Sequence, residues 1–139
     1  MEANSLSSLV RPFYDALTTP AARDVRGLVE SVTSPDWVSV GGDALPLKSR
    51  EAFIGQVMGF GKLIPDLRWE IQEIVEAGDR VVVRSRATGT PAGELFGVPA
   101  SGRGFDIMTI DLHTIADGKL LRVHHVEDWA TALRQLDGR

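Results

Sequence analysis

The chain has 139 residues, of which 43% are hydrophobic and 24% are charged, so we expect one globular domain over residues 1–139. Fifteen Lys and Arg residues against nineteen Asp and Glu residues give a net charge of −4, which argues against a nucleic-acid or anionic-membrane surface. The absence of cysteine excludes disulfides, thiol nucleophiles and thiolate metal sites. The first residues contain no apolar run, so we predict neither a signal peptide nor a membrane span and expect a cytoplasmic location.

The first third of the chain is predicted to be helical. Apolar residues recur at spacings of three and four over residues 6–17 and again over residues 25–32. Pro12 interrupts the first run, where it either kinks the helix or marks its start. Ser49 is predicted to cap a third helix, whose apolar stripe comprises Phe53, Ile54, Val57 and Met58.

The second half of the chain is predicted to be an antiparallel meander followed by a short helix. Strands are expected over residues 67–71, 80–90, 105–115 and 120–126, with turns at Gly78-Asp79 and Asp117-Gly118. Trp129, Leu133 and Leu136 mark the closing amphipathic helix. Because helices precede the sheet, this order predicts an α+β fold in which helices cover one face of a bent sheet and leave a pocket.

The histidines of the last two strands are the main candidates for chemistry. His113 lies on the third predicted strand, and His124 and His125 are neighbours on the fourth. Adjacent strand residues point to opposite faces, so only one of this pair can share a face with Asp111. The length of the turn decides which one does.

Two turn lengths remain open from the residues alone. A two-residue turn pairs Ala116 with Lys119 and separates an apolar from a polar face more cleanly. Asp111, His113 and His124 then converge like a set of metal ligands. A three-residue loop instead puts Thr109 opposite His125, with Asp111 diagonally within reach of the imidazole in a mostly apolar cavity.

Several short motifs resemble the SnoaL-like polyketide cyclases and related ester cyclases. They are Gly89-Thr90, the Gly93 to Pro99 stretch, Gly102-Arg103, Ile110-Asp111, the Asp117 to Leu120 turn and the Leu133 to Leu136 stretch. The similarity extends from Tyr14 to Leu136. It implies the cone-shaped nuclear-transport-factor-2-like fold, with a strongly bent antiparallel or mixed sheet and N-terminal helices around a pocket. It also implies a homodimer or homotetramer, and it favours the three-residue loop.

The resemblance further implies a type of activity. In those cyclases a strand Asp is the acid/base for a cofactor-independent aldol closure, hydrogen-bonded to a His on the neighbouring strand. Here the two positions are exchanged, as His125 and Asp111. We therefore expect a cyclase, isomerase, hydratase or hydrolase for a small apolar, polyketide-like carbonyl compound, without cofactor or metal. His125 would move the proton and Asp111 would orient it. The alternative is a non-catalytic small-molecule-binding protein of the same fold.

Other side chains are expected to contact the substrate, although residues of these types at such spacing are most often core. These are Tyr14, Trp37, Phe53, Met58, Trp69, Thr109, His113 and Val123. Leu17 is a further candidate. His124 is expected on the opposite face of the sheet, in a contact between copies of the chain. Arg80, Arg84 and Arg86 are expected on a solvated or interface face, and residues 89–104 form a lid or an edge loop.

Overall fold

The computed structural model describes residues 6–138. In chain order these residues form α1 (Leu6–Asp15), a 3-10 turn (Pro20–Ala22), α2 (Val25–Val32), β1 (Thr33–Val40), β2 (Lys48–Ser49), α3 (Arg50–Leu63), β3 (Arg68–Ala77), β4 (Arg80–Gly89), β5 (Phe105–Ala116), β6 (Lys119–Glu127) and α4 (Trp129–Asp137). The strands make a single mixed sheet in the order β2-β1-β6-β5-β4-β3. No helix within residues 6–138 is long and apolar enough to cross a membrane.

The helices begin where the sequence places their capping residues. Ser49 accepts a hydrogen bond from the backbone N–H of Ala52 at 3.1 Å, which satisfies a free donor of the first turn of α3. Asp24 caps α2 in the same way, through the N–H of Gly27 at 3.0 Å. Pro12 lies inside α1, so it does not mark the start of that helix.

β1 is the element that the predicted meander lacks. Antiparallel pairing joins β3 to β4, β4 to β5 and β5 to β6, as expected. On the other side of β6, however, β1 runs parallel to it, with Val38 paired to Arg122. Parallel neighbours need a long crossover, here most of the chain, so no local pattern indicates this pairing.

The helices cover the concave face of the sheet and bury the core against it. Trp37 of β1 is 1% exposed and packs between two aromatic rings, with centroids 5.9 Å from Phe13 and 4.9 Å from Phe53. Burying a side chain of this size is worth about 1.5–3 kcal/mol or more. The aromatic cluster therefore anchors α1 and α3 to the sheet.

The convex face carries the arginines of β4. Arg84 pairs with Glu73 at 3.0 Å and Arg86 with Asp106 at 2.6 Å. All four side chains are more than a third exposed. Such pairs contribute about 0–1 kcal/mol each, as expected for a solvated face.

Candidate active site

The hairpin of β5 and β6 is built from a two-residue turn followed by a bulge. Asp117 and Gly118 have φ values of 52° and 73°, the left-handed backbone that two-residue hairpin turns use. Ala116 therefore pairs with Lys119. Next along the ladder, Ile115 pairs with Leu120 but Thr114 pairs with Arg122, which leaves Leu121 as the extra residue of a β-bulge.

The bulge decides which histidine faces the cavity. Beyond it, Asp111 lies opposite His125, and Leu112 lies opposite His124. The three-residue loop was thus a wrong prediction, and Thr109 pairs with Glu127 rather than with His125. The two-residue turn has the predicted length, but the pairing of Asp111 with His124 that it predicted is wrong. The inserted residue reverses the face of every residue after it.

The predicted cluster of Asp111, His113 and His124 does not form. Asp111 is 4% exposed and His113 is fully buried, both on the concave face. His124 is exposed on the convex face, as the three-residue reading expected. It cannot share a metal ion with the other two.

His125 is held by a carboxylate on its own strand. Its Nδ1 lies 2.7 Å from Oε2 of Glu127, two residues along β6 and on the same face. Trp129, at the start of α4, donates its indole N–H to the other oxygen of Glu127 at 2.9 Å. The hydrogen bond to Glu127 raises the pKa of His125. The expectation that Asp111 orients His125 is corrected here, since Glu127 makes that contact.

Asp111 belongs to a second, more deeply buried network. The Tyr14 hydroxyl donates to Oδ2 of Asp111 at 2.5 Å and lies 2.8 Å from Nε2 of His113. Burial lowers the pKa of His113 to about 3, so its imidazole is neutral at physiological pH. Because Tyr14 gives its only hydrogen to Asp111, the N–H of His113 donates to the Tyr14 oxygen.

Burial also decides the protonation of Asp111. It raises the pKa of this carboxyl from 3.8 to about 7, against the opposing effect of the Tyr14 hydrogen bond. The Tyr14 pKa is raised well above its usual value by burial and by the neighbouring Asp111 charge. Asp111 can therefore gain or lose a proton near neutral pH, whereas Tyr14 remains a neutral donor.

A small apolar cavity of about 50 Å³ lies over both networks. It is lined by Phe13, Leu17, Ser39, Phe53, Gln56, Val57, Phe60, Trp69, Asp111, Val123, His125 and Glu127. It opens into a wider mouth of about 330 Å³ that shares Ser39, Gln56, His125 and Glu127 with it. A small apolar ligand in the cavity would therefore touch His125 and Asp111 together.

Phe53, Trp69, Val123 and the further candidate Leu17 line this cavity, as do His125 and Asp111. The remaining expected contacts lie elsewhere. Tyr14 and His113 lie behind Asp111, and Trp37 is core. Thr109 accepts a hydrogen bond from the indole N–H of Trp69 at 3.1 Å and so holds that ring. Met58 is 49% exposed, outside the cavity.

Gln56, Phe60 and Glu127 are lining residues that the sequence analysis missed. Gln56 and Phe60 follow Phe53 at three and seven residues, the spacing of one helix face, whereas Met58 falls off it. Glu127 lies on the same face of β6 as His125, so a correct assignment of the face of His125 would also have identified Glu127.

Three acid/base side chains meet at the base of the cavity, and two of their polar atoms are already hydrogen-bonded. One possible ligand atom from each of Asp111, His125 and Glu127 lies within 4.8 Å of the others. Yet Nδ1 of His125 is bound to Glu127, and Oδ2 of Asp111 is bound to Tyr14. Neither bond involves Nε2 of His125 or Oδ1 of Asp111, so these two atoms remain available to a substrate.

A bent sheet, covering helices and a polar cluster at the base of an apolar pocket define a cone-shaped α+β protein with an internal site. The family model of the SnoaL-like polyketide cyclases matches residues 8–136, and the chain belongs to this family. No protein of curated function matches the chain in sequence.

Solved structures agree with the family and the fold. IdmH from Streptomyces antibioticus, assigned as a polyketide cyclase, is 27% identical with a TM-score of 0.79, covering 94% of this chain and 96% of that one. AclR from Streptomyces galilaeus, assigned as a hydroxylase, is 26% identical with a TM-score of 0.80, over 96% of both chains. A Catenulispora acidiphila protein with a ketosteroid isomerase-like fold matches at 16% identity and a TM-score of 0.73, over 92% of this chain and 91% of its own. The expected nuclear-transport-factor-2-like fold is confirmed.

Proposed function

We propose that this protein is a cofactor-independent general acid/base enzyme acting on a small apolar, polyketide-like carbonyl compound. The observation that carries the proposal is the position of His125, whose Nδ1 is bound to Glu127 while the ring lines the same apolar cavity as Asp111. Nε2 has no hydrogen-bond partner among residues 6–138, so it is the nitrogen available to a substrate.

Glu127 prepares His125 to accept a proton. By accepting the Nδ1 hydrogen it fixes the tautomer in which Nε2 carries the lone pair, and it stabilises the imidazolium that forms. The apolar walls strengthen this charge interaction relative to water. General base assistance of this kind is typically worth about 10²–10⁴ in rate.

The reaction that suits this arrangement begins with removal of a proton next to a carbonyl. The C–H bond breaks, Nε2 of His125 takes the proton, and the electron pair moves onto the carbonyl oxygen. Transfer of that proton from His125, directly or through Asp111, to another atom of the enolate completes an isomerisation. In a cyclisation the enolate attacks a second carbonyl, and the same proton passes from His125, directly or through Asp111, to the new alkoxide oxygen. Both outcomes use the same two groups, and family membership favours the cyclisation.

Deuterium exchange tests the first step without knowledge of the natural substrate. 2-Tetralone, an apolar bicyclic ketone with acidic C–H bonds, would be incubated with the protein in deuterium oxide and followed by NMR. We expect catalysed exchange that falls about 10²-fold or more in His125→Ala. His124→Ala, the adjacent residue on the convex face, is the matched control and should exchange at the parent rate.

The same experiment separates the two readings of the cavity. Unchanged exchange in His125→Ala would contradict the proposed base. If the parent protein bound 2-tetralone and did not accelerate exchange, the non-catalytic binding protein would be the better reading. Glu127→Gln should retain binding and slow exchange, because an amide stabilises an imidazolium less well than a carboxylate does.

We also propose that two copies of the chain associate through the convex face of β5 and β6. Met108, Ile110 and Val126 form an apolar patch there, exposed by 54%, 40% and 71%. Ile110 and Val126 are directly paired in the ladder, so the patch is continuous. The ion pairs Arg84–Glu73 and Arg86–Asp106 lie beside this patch and carry charges of both signs. A second copy related by a two-fold axis could therefore place its positive side chains against negative ones, and the reverse.

A further inference from the structure

We propose that Ser39, Lys48 and Gln56 form an anion-binding rim at the mouth of the cavity, which holds a carboxylate group of the substrate. This inference rests on the proposed function for the reacting end of that substrate and adds the chemistry of its other end. The substrate class then becomes an apolar carbonyl compound that carries a carboxylate.

The three rim residues come from three different elements and meet at one place. Ser39 of β1 and Lys48 of β2 are directly paired in the ladder. The Lys48 ammonium donates a hydrogen bond to Oε1 of Gln56 on α3. All three line the mouth, and Ser39 and Gln56 also line the inner cavity that contains Asp111 and His125. The rim therefore lies between solvent and the reacting groups.

Every free polar group of the rim can donate a hydrogen bond. The Gln56 oxygen is occupied by Lys48, which leaves its NH₂ group, and the ammonium retains two of its three hydrogens. Ser39 is 4% exposed, and its hydroxyl has no hydrogen-bond partner within residues 6–138. Three groups that can all donate, one of them a cation, match the oxygens of a carboxylate and bind a neutral ester less well.

The charge balance at the mouth also favours an anion. No carboxylate among the described residues lies within 4.0 Å of the Lys48 ammonium. The acid of the mouth is Glu127, and its two oxygens are already bound by His125 and Trp129. Lys48 thus contributes a positive charge that no nearby side chain neutralises. Its charge lowers the pKa of His125, so a bound carboxylate would offset this effect at the catalytic group.

The rim and the cavity together would orient an amphipathic ligand. The inner walls are mostly aromatic and aliphatic, whereas the donors lie at the opening. An apolar ring system would enter first and leave its carboxylate at the rim. Its carbonyl would then lie on the side of His125 and Asp111.

Binding of 2-naphthoate and of its methyl ester tests the rim, because the two probes differ only in the charge and acceptor capacity of one group. Affinities would be measured by calorimetry for the parent, Lys48→Met and Lys62→Met. Lys62, an exposed lysine of α3 outside the cavity and its mouth, controls for the loss of one positive charge. We expect the acid to bind the parent more tightly than the ester, and Lys48→Met to lose about tenfold for the acid alone.

The result separates this inference from the proposed function. Equal affinity for acid and ester, or equal losses in Lys48→Met and Lys62→Met, would overturn the rim even if 2-tetralone exchange were catalysed. A clear preference for the acid with no exchange would support the rim and contradict the catalytic proposal. Ser39→Ala offers a second variant, with a several-fold loss expected for 2-naphthoate and none for its ester.

Discussion

Asp111 lies directly across the β5–β6 ladder from His125, although the turn between these strands has the length that would place it across from His124. The bulge at Leu121 causes the change, because it adds one residue to β6. Pairing across the ladder brings the two side chains onto one wall of the cavity without a hydrogen bond between them. Each has its own partner, Tyr14 for Asp111 and Glu127 for His125. The two groups can therefore exchange protons with a ligand between them.

Gly41 lies beside the free nitrogen of His125. A Cβ at this position would lie 3.4 Å from Nε2 of His125 and 3.7 Å from Leu45, and its backbone is not left-handed. Gly41→Ala should fold normally and slow the exchange of 2-tetralone several-fold, because the new methyl group crowds the free nitrogen. Gly55→Ala is the control, since nothing lies within 4 Å of a Cβ there. It should exchange normally and gain about 0.5–1 kcal/mol in unfolding free energy.

The hydrogen bond from Tyr14 opposes the effect of burial on the pKa of Asp111. Because this bond lowers the Asp111 pKa, Tyr14→Phe should raise that pKa further above about 7. An NMR titration of the Asp111 carboxyl carbon would measure the change, and an unchanged or lower pKa would contradict the assigned network.

The same variant should lose about 1–3 kcal/mol of unfolding free energy in urea, because it leaves buried polar groups without their partner. Ser85→Ala is the matched control. It also removes a buried hydroxyl, but one that has no hydrogen-bond partner, so little loss is expected.

The stability of the protein should depend on pH through two buried groups that oppose each other. The raised pKa of Asp111 adds stability below about pH 4, which is lost as the pH rises to about 7. The lowered pKa of His113 adds stability above pH 6.5, which is lost as the pH falls towards 3. Between pH 4 and 6.5 the two effects have opposite slopes and partly cancel.

Asp111→Asn removes the first of these effects. Its urea midpoint should therefore rise with pH from 4 to 6.5 more steeply than that of the parent. Asp106→Asn is the control, because Arg86 lowers the pKa of Asp106 below this range. A slope in Asp111→Asn equal to or shallower than the parent slope would show that Asp111 is not protonated in the folded state at these pH values.

The apolar convex patch should determine whether copies of the chain associate. Val126 is 71% exposed, so the single chain should tolerate Val126→Glu. In the assembly the new carboxylate would be buried against an apolar surface and lose its hydration, which opposes association. We expect light scattering to show a dimer or tetramer for the parent and a monomer for this variant. Met58→Glu, exposed on α3, should retain the assembly. If the parent protein were a monomer, the proposed association would be contradicted, whereas the proposal for the cavity would stand.

Local patterns in the sequence determined the order of the helices and of strands β3 to β6, whereas β1 and β2 were not predicted. The caps at Asp24 and Ser49 and the alternation of residues in β3 to β6 act over a few residues, so they can be recognised without the fold. The α+β class follows from that order. Asp111 and His125 could likewise be placed on adjacent strands, because a single short turn joins them.

Only the tertiary structure decided how those residues work together. A bulge adds one residue without a distinctive local signal, and that single residue turned His125 inward and His124 outward. Tyr14 meets Asp111 across 97 positions of sequence, and β1 pairs with β6 across most of the chain. Contacts of this kind depend on how α1 and β1 pack against the finished sheet. For that reason the chemistry of the site could be anticipated from residue types, whereas the partner of each group could not.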